Sequence, residues 1–198
     1  MSLESSYTLL APMYDFVIER PFRKIRADSL SRLPAEPSTV LVNGIGTGLD
    51  LPHLPTRHRY IGLDLTAAML KRARPRTRGI AMNLVQGTSL ALPFADDAFD
   101  HAVLHLILAI VPDPAGCLRE AARVVKPKGS VLIVDKFLRK GQWAPLRRAL
   151  NPLVSRLVTR VDVVFEEVLA KQPNLRLVDD RPVLFNGWIR SIRLVKNA

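Results

Sequence analysis

With a single cysteine, Cys117, the chain cannot close an internal disulfide, which excludes a scaffold stapled by its own bridges and fits a reducing compartment. Long apolar runs are missing as well. The longest, Ala102 to Val111, is interrupted by His105 and is too short to cross a bilayer. The opening MSLESSYTLLAP carries no basic stretch ahead of an apolar one, so no signal peptide is expected. HxxH and CxxC spacings are absent, and no metal site is expected. Acidic residues are scarce: 18 against 29 Lys and Arg, for a net charge of +11. That balance favours anionic partners. Nucleic acid is nonetheless disfavoured, because the chain has no RNA-binding aromatic signature, no zinc-finger spacing and no Gly/Arg-rich tail. These absences describe a cytoplasmic protein without dedicated nucleic-acid or metal chemistry.

The 198 residues, 48% apolar and 24% charged, suit one globular domain with a real core. The basic excess is uneven. Residues 136–198 hold 13 basic and 5 acidic side chains, and Lys71, Arg72, Arg74, Arg76 and Arg78 crowd one short stretch.

Short apolar strand patterns alternate with helical ones. TVLVN (39–43), RYIGLD (59–64), GIAMNLVQG (79–87), FDHAVLHL (99–106) and GSVLIVDKF (129–137) read as strands. TAAMLKRAR (66–74) and PAGCLREAARVV (114–125) read as helices. This alternation predicts βαβ units and a parallel sheet covered on both faces. The ending differs. LRLVDDRPVLF (175–185) and WIRSIRLV (188–195) flank Asn186-Gly187, which predicts an antiparallel hairpin closed by a type I′ turn.

Two further segments have helical spacing. Leu3, Tyr7, Leu10, Tyr14 and Val17 share one face, Pro21 bends or ends that helix, and Phe22, Ile25, Leu30 and Leu33 start a second. Leu146, Leu150, Leu153, Leu157 and Val161 repeat the pattern, flanked by Arg147, Arg148, Arg156 and Arg160. That composition suits a helix lying on an anionic bilayer, or equally one packed on the sheet with solvated arginines.

The chemistry is concentrated after the first strand, in Gly44-Ile45-Gly46-Thr47-Gly48. Glycines there let a ligand approach the backbone. Asp64, twenty residues after Gly44, ends the next strand, where a carboxylate can accept from both hydroxyls of a ribose. Leu49 stands where a dinucleotide fingerprint wants its last glycine, and the Gly-Lys-Ser/Thr of a phosphate loop is absent. The pair points to a nucleoside ligand. His105 reads as a core histidine or a site residue, His53 and His58 as surface residues of a Pro- and Arg-rich loop, and Asp96 and Asp97 as turn residues. Cys117 belongs on a helix, with no catalytic role.

VLVNGIGTGLDLPHL, YIGLDLTAAMLKRAR, LALPFADDAFDHAVL and LREAARVVKPKGSVLIVD resemble the successive motifs of class I S-adenosylmethionine-dependent methyltransferases, over about residues 7–138. GIGTGLDLP and IVPDP…E…RVVKPKG…IVDKF are most similar to bacterial phosphatidylethanolamine N-methyltransferases, with quinone-biosynthesis C-methyltransferases close behind. The resemblance implies a three-layer αβα Rossmann-like fold: a seven-stranded sheet, mostly parallel, with a C-terminal antiparallel hairpin. It implies one methyltransferase domain over 1–198, with 1–34 a helical lid and 138–173 a helical insertion facing substrate or membrane.

It also implies roles. Gly44, Ile45, Gly46, Thr47 and Gly48 pass the methionine part of S-adenosylmethionine, Asp64 holds the ribose, and Leu65 flanks the adenine. Thr88, Ser89 and Leu90 meet the adenine. His105 lies against the cofactor at the end of the fourth strand, with Leu106 toward the substrate. Tyr7 and Tyr14 match lid tyrosines that cover the site. Catalytic residues are not specified by the resemblance. The chain departs from the family pattern at Val42, where an acidic residue is usual, and at Thr88, where Asp is frequent. The acceptor implied is small or lipophilic, with a phospholipid amine first. A quinone-like C- or O-methyltransferase, or a non-catalytic cofactor- or lipid-binding protein, is the alternative.

Overall fold

The computed structural model describes residues 22–138 and 163–198. Seven strands form one sheet: β1 (Thr39–Asn43), β2 (Arg59–Asp64), β3 (Met82–Gln86), β4 (Phe99–His105), β5 (Val125–Lys136), β6 (Leu175–Leu184) and β7 (Ile189–Lys196). Their order is β3-β2-β1-β4-β5-β7-β6. The first five pair in parallel, whereas β7 is antiparallel to both β5 and β6. The expected mostly parallel sheet with an antiparallel ending is therefore present.

Four helices appear among the described residues. They are α1 (22–30), α2 (Ala67–Ala73), α3 (Pro114–Val124) and α4 (Phe165–Ala170). Local chemistry sets their starts. Thr66 accepts a hydrogen bond from the Met69 N–H at the head of α2, and Asp113 accepts from Gly116 N–H ahead of Pro114 in α3.

The sheet's two faces carry separate apolar layers because side chains alternate along each strand. Leu41, Leu63, Ala102, Leu104, Val131 and Ile133 pack with α3 and α4, where Leu118, Ala121, Phe165 and Val168 are buried. Val40, Val42, Val103 and Leu132 pack with Leu30, Leu33, Leu70 and Ala73 on the opposite face. Each fully buried Val, Leu or Ile side chain among them stabilises the fold by roughly 1.5–3 kcal/mol. The helix expected from Phe22 onward is α1, with Phe22, Ile25 and Leu30 buried and Leu33 buried just beyond it.

Two expectations are corrected. The β6–β7 connection is a 3₁₀ turn over Phe185–Gly187, with positive φ at Phe185 and Gly187, so the hairpin forms with a different turn from the two-residue type I′. His58 is buried, not superficial: its Nδ1 accepts from the Ser38 N–H at 3.1 Å and its ring meets Tyr60 edge to face. Packing against the first strand pair overrides the polar composition of its loop. Asp96 and Asp97 lie where expected, in the turn before β4, paired with Arg123 and Lys196. The tyrosine-bearing segment with Tyr7 and Tyr14, and the Leu146–Val161 stretch, lie outside the described residues.

Candidate active site

Strand order reverses at β1, which has β2 on one side and β4 on the other. In an open α/β sheet, the carboxyl ends of strands at such a point diverge and leave a crevice that takes ligands. The glycine turn sits there, directly after Asn43. Gly44, Gly46 and Gly48 all have positive φ, at 76°, 56° and 84°. A Cβ on Gly44 would approach Ile107 Cδ1 to 2.7 Å, so the turn and the loop after β4 touch. A Cβ on Gly46 would meet nothing within 4 Å among the described residues, so none of them closes off this backbone.

Asp64 closes the turn from the neighbouring strand. Its Oδ2 accepts from Gly46 N–H at 2.8 Å, and its Oδ1 accepts from Thr66 N–H at 3.1 Å. Burial pushes this carboxyl above the usual carboxylate range, against the downward pull of the Thr66 and Gly46 N–H donors. The Thr66 hydroxyl also donates to Oδ1, at 3.4 Å, so the spare lone-pair direction for a further donor lies on Oδ2. Leu65, next in sequence, is 53% exposed, an apolar face open for a planar ring.

The segment after β3 lies against the same turn, since Gly87 N–H donates to the Asp64 carbonyl. Thr88 Oγ1 accepts from Leu90 N–H at 3.2 Å, a tight local bend. Ser89 points inward and donates to Asn43 Oδ1 at 2.6 Å. Asn43 is buried, and its amide also reaches Cys117 Sγ at 3.8 Å. Ser89 thus holds the loop by its side chain, while Thr88 and Leu90 are half-buried. Val42 is fully engaged in the apolar layer under α1 and α2. Burial, with Asp135 next in effect, pushes the Cys117 thiol up to about 12, which suits a packing role.

The structure spends His105 on a buried network. Its Nδ1 lies 2.8 Å from Asp50 Oδ1 and its Nε2 3.0 Å from Ser29 Oγ. Arg26 NH1 donates to the same Asp50 oxygen at 2.7 Å. Asp50 opposes its own burial: the Arg26 and His105 charges and hydrogen bonds outweigh desolvation and hold its carboxyl below the usual range. An ionised Asp50 is an acceptor only, so the Nδ1 of His105 carries the proton of the bond between them. The result ties α1, the end of the glycine segment and the end of β4 together. Sequence reading missed this role for Arg26, Ser29 and Asp50; the available signal was an aspartate two residues past Gly48.

Leu106 follows His105 with φ +57°, a left-handed conformation that costs a non-glycine residue about 1–2 kcal/mol. It turns the chain back so that Ile107 meets Gly44 and Ala109 N–H donates to Asp135 Oδ2 at 3.1 Å. Asp135 is completely buried, and burial pushes its carboxyl upward. No group of metal-binding side chains occurs among the described residues.

The elements present fit S-adenosylmethionine: a turn that no described residue closes off at Gly46, a carboxylate with spare acceptor capacity and an exposed apolar residue beside it. Of the residues expected to hold it, Gly44, Gly46, Asp64, Leu65, Thr88 and Leu90 lie at the carboxyl end of the sheet beside the crevice, whereas Thr47 is buried, Ile45 is buried in the apolar layer under α1 and α2, and Gly48 packs against Leu51 and Ala73. Ser89 and His105 are turned to internal partners.

Comparison with known proteins gives a consistent result. Residues 41–133 match the family described as a methyltransferase domain. Phosphatidylethanolamine N-methyltransferase of Cereibacter sphaeroides is 32% identical over 186 residues, covering 91% of this chain and 91% of that protein. Demethylmenaquinone methyltransferase of a Roseiflexus species is 30% identical over 169 residues, covering 78% of this chain and 70% of its own length. Among solved structures, a possible histamine N-methyltransferase from Thermotoga maritima superposes with TM-score 0.71 at 18% identity, covering 98% of this chain and 99% of that one. The [4+2]-cyclase SpnF superposes with TM-score 0.79 at 16% identity, covering 97% and 94%. Likeness at these identities is one of fold, and one fold hosts several reactions.

Proposed function

The chain belongs to the class I S-adenosylmethionine-dependent methyltransferases, and from that premise we propose that its acceptor is the amine of a phospholipid head group. The observation that carries the proposal is the end-to-end similarity to the Cereibacter phosphatidylethanolamine N-methyltransferase, 91% of both chains. When bound, S-adenosylmethionine supplies an activated methyl group on a sulfonium. The protein's part is alignment and exclusion of water. In this reading Asp64 accepts from a ribose hydroxyl, Leu65 and the Thr88–Leu90 bend flank the adenine, and the glycine backbone passes the methionine chain. Leu106 and Ile107, held by the bend after β4, border the acceptor.

An amine that arrives neutral needs no permanent base, unlike a carbon acid or a hydroxyl. Tyr7 and Tyr14 offer aromatic faces to the cationic product. The arginine-flanked stretch 146–161 carries the chain to the anionic inner face of the membrane. Contact in this reading is peripheral; no helix among the described residues is long and apolar enough to cross a membrane.

The test is product analysis after incubating the protein with methyl-labelled S-adenosylmethionine and vesicles containing phosphatidylethanolamine and anionic lipid. Label on the lipid amine is expected, with binding that depends on the anionic lipid. A second reading, methylation of a quinone-like ring, is favoured by the demethylmenaquinone methyltransferase relative. Label on a demethylated quinol with none on the lipid would replace the first reading by the second.

A further inference from the structure

We propose that Asp135 is a positioning residue for methyl transfer: from inside the fold its carboxyl holds the strained bend after β4 that presents Leu106 and Ile107 to the acceptor. The proposal rests on the reading that these two residues border the acceptor.

A buried charge needs partners, and those of Asp135 are not the expected ones. It is completely buried, one residue before the end of β5. Arg190 stands directly across from it on β7, yet donates to Asp180 and Glu166 instead. Lys136 attracts the carboxyl, but among the described residues no cation is ion-paired with it. Its oxygens go to the backbone. Oδ2 accepts from Ala109 N–H at 3.1 Å and Oδ1 from Lys136 N–H at 2.8 Å, and the Leu108 N–H also draws the carboxyl. An apolar side chain would fill the same space without the cost of burying a charge. What it could not do is accept from the loop.

That loop is under strain. Leu106 has φ +57°, and a non-glycine residue keeps such a conformation only where its surroundings over-determine it. Hydrogen bonds on both sides do so here. Leu106 N–H donates to the Val134 carbonyl at 2.7 Å, and the Ile110 and Val111 N–H groups close on the Ile107 carbonyl at 3.0 and 3.1 Å. Ala109 N–H completes the set on Asp135, the one acceptor among these that a side-chain substitution removes. Leu108 and Ala109, beside the carboxyl, are buried, while Leu106 and Ile107 remain partly exposed. The buried half of the loop is thus the anchor and the other half is what it presents.

The cofactor turn has anchors of its own. Gly44 and Ile45 N–H groups both donate to the Leu63 carbonyl at 2.9 Å, and Gly46 N–H donates to Asp64. Loosening the loop therefore leaves the cradle standing and shifts the acceptor side.

The test compares the wild type with Asp135→Asn, Leu106→Gly, the double variant and Val131→Ala, a core truncation further back on β5. Hydrogen exchange of the loop amides and S-adenosylhomocysteine affinity are measured on each, with kcat/KM for phosphatidylethanolamine vesicles and for a demethylated quinol. Asp135→Asn replaces one acceptor oxygen by an NH2 group that cannot accept. It should speed exchange at Leu108 and Ala109 about tenfold and lower acceptor kcat/KM about as much, with S-adenosylhomocysteine affinity kept within about threefold. Val131→Ala should lower the melting temperature without that split. Leu106→Gly removes the strain that the carboxyl opposes, so in its background Asp135→Asn should change exchange by less than about threefold. Unchanged exchange in Asp135→Asn, equal losses of cofactor affinity and acceptor turnover, the same split in Val131→Ala, or strict additivity with Leu106→Gly would overturn the proposal. The exchange readout needs no acceptor. A wild type that leaves phosphatidylethanolamine unlabelled contradicts the phospholipid reading, while the amides still decide whether Asp135 holds the loop.

Discussion

Asp50→Ala should be among the most damaging changes outside the apolar core. Asp50 is 3% exposed and joins Arg26, at 2.7 Å, to His105, at 2.8 Å, through one oxygen. Removing it leaves the Arg26 guanidinium buried without its counter-ion, a situation that costs about 3–5 kcal/mol. A domain of this kind has about 5–15 kcal/mol in total. Asp50→Asn keeps an acceptor at the same place and loses only the charge. Downgrading two charge-assisted hydrogen bonds at about 1 kcal/mol each puts its cost near 2 kcal/mol. The acid limb of stability should change too. Because the folded carboxyl is held below its ordinary value of 3.8, its contribution is full above that value and is lost as pH falls through the folded one. Urea unfolding of the wild type, Asp50→Ala, Asp50→Asn, Arg26→Met and the Arg26→Met/Asp50→Ala pair measures all of this. The double variant should be more stable than the sum of the singles predicts, by more than about 1 kcal/mol. Strict additivity, or an Asp50→Ala cost below about 1 kcal/mol, would refute the buried network as a stabilising element.

Three further outcomes are expected. Gly44→Ala should destabilise by about 2–4 kcal/mol, combining the left-handed φ with the approach to Ile107, whereas Gly46→Ala, whose Cβ meets no described residue within 4 Å, should cost only about 1–2; thermal melts of both decide this. Thr88→Asp should tighten S-adenosylmethionine binding by roughly 5- to 30-fold, since a carboxylate in place of the hydroxyl adds about 1–2 kcal/mol to a bond with the adenine amine; unchanged affinity by calorimetry would place the adenine elsewhere. Cofactor affinity should fall as pH is lowered, starting above the range of an exposed aspartate because burial raises the Asp64 carboxyl and its ionised form is the stronger acceptor for a ribose hydroxyl; a flat affinity down to pH 4 would contradict this.

Much of the sheet was legible because its signals are local. TVLVN, RYIGLD and FDHAVLHL are apolar runs bounded by turn residues, and they became β1, β2 and β4 with few changes. Glycines followed by an aspartate at the next strand end marked the crevice for the same reason. The β6–β7 turn was misread because Asn-Gly favours type I′ only when the flanking register allows it. Here the register shifts between Pro182 and Leu184, and the connection takes a 3₁₀ form starting at Phe185. The buried network was not legible at all. Arg26 and Asp50 are 24 residues apart, and His105 is 55 residues beyond Asp50. Nothing local distinguishes these polar residues from solvated ones. His58 shows the same limit, since its burial depends on Ser38 and Tyr60 rather than on its own loop.

The most direct test of the cofactor cradle is calorimetric titration of S-adenosylmethionine into the wild type and Asp64→Asn at pH 7. The cradle predicts micromolar binding to the wild type and a loss of roughly 5- to 30-fold in Asp64→Asn, from a ribose hydrogen bond at about 1–2 kcal/mol. Equal affinity in the two proteins would contradict it and remove Asp64 from the site.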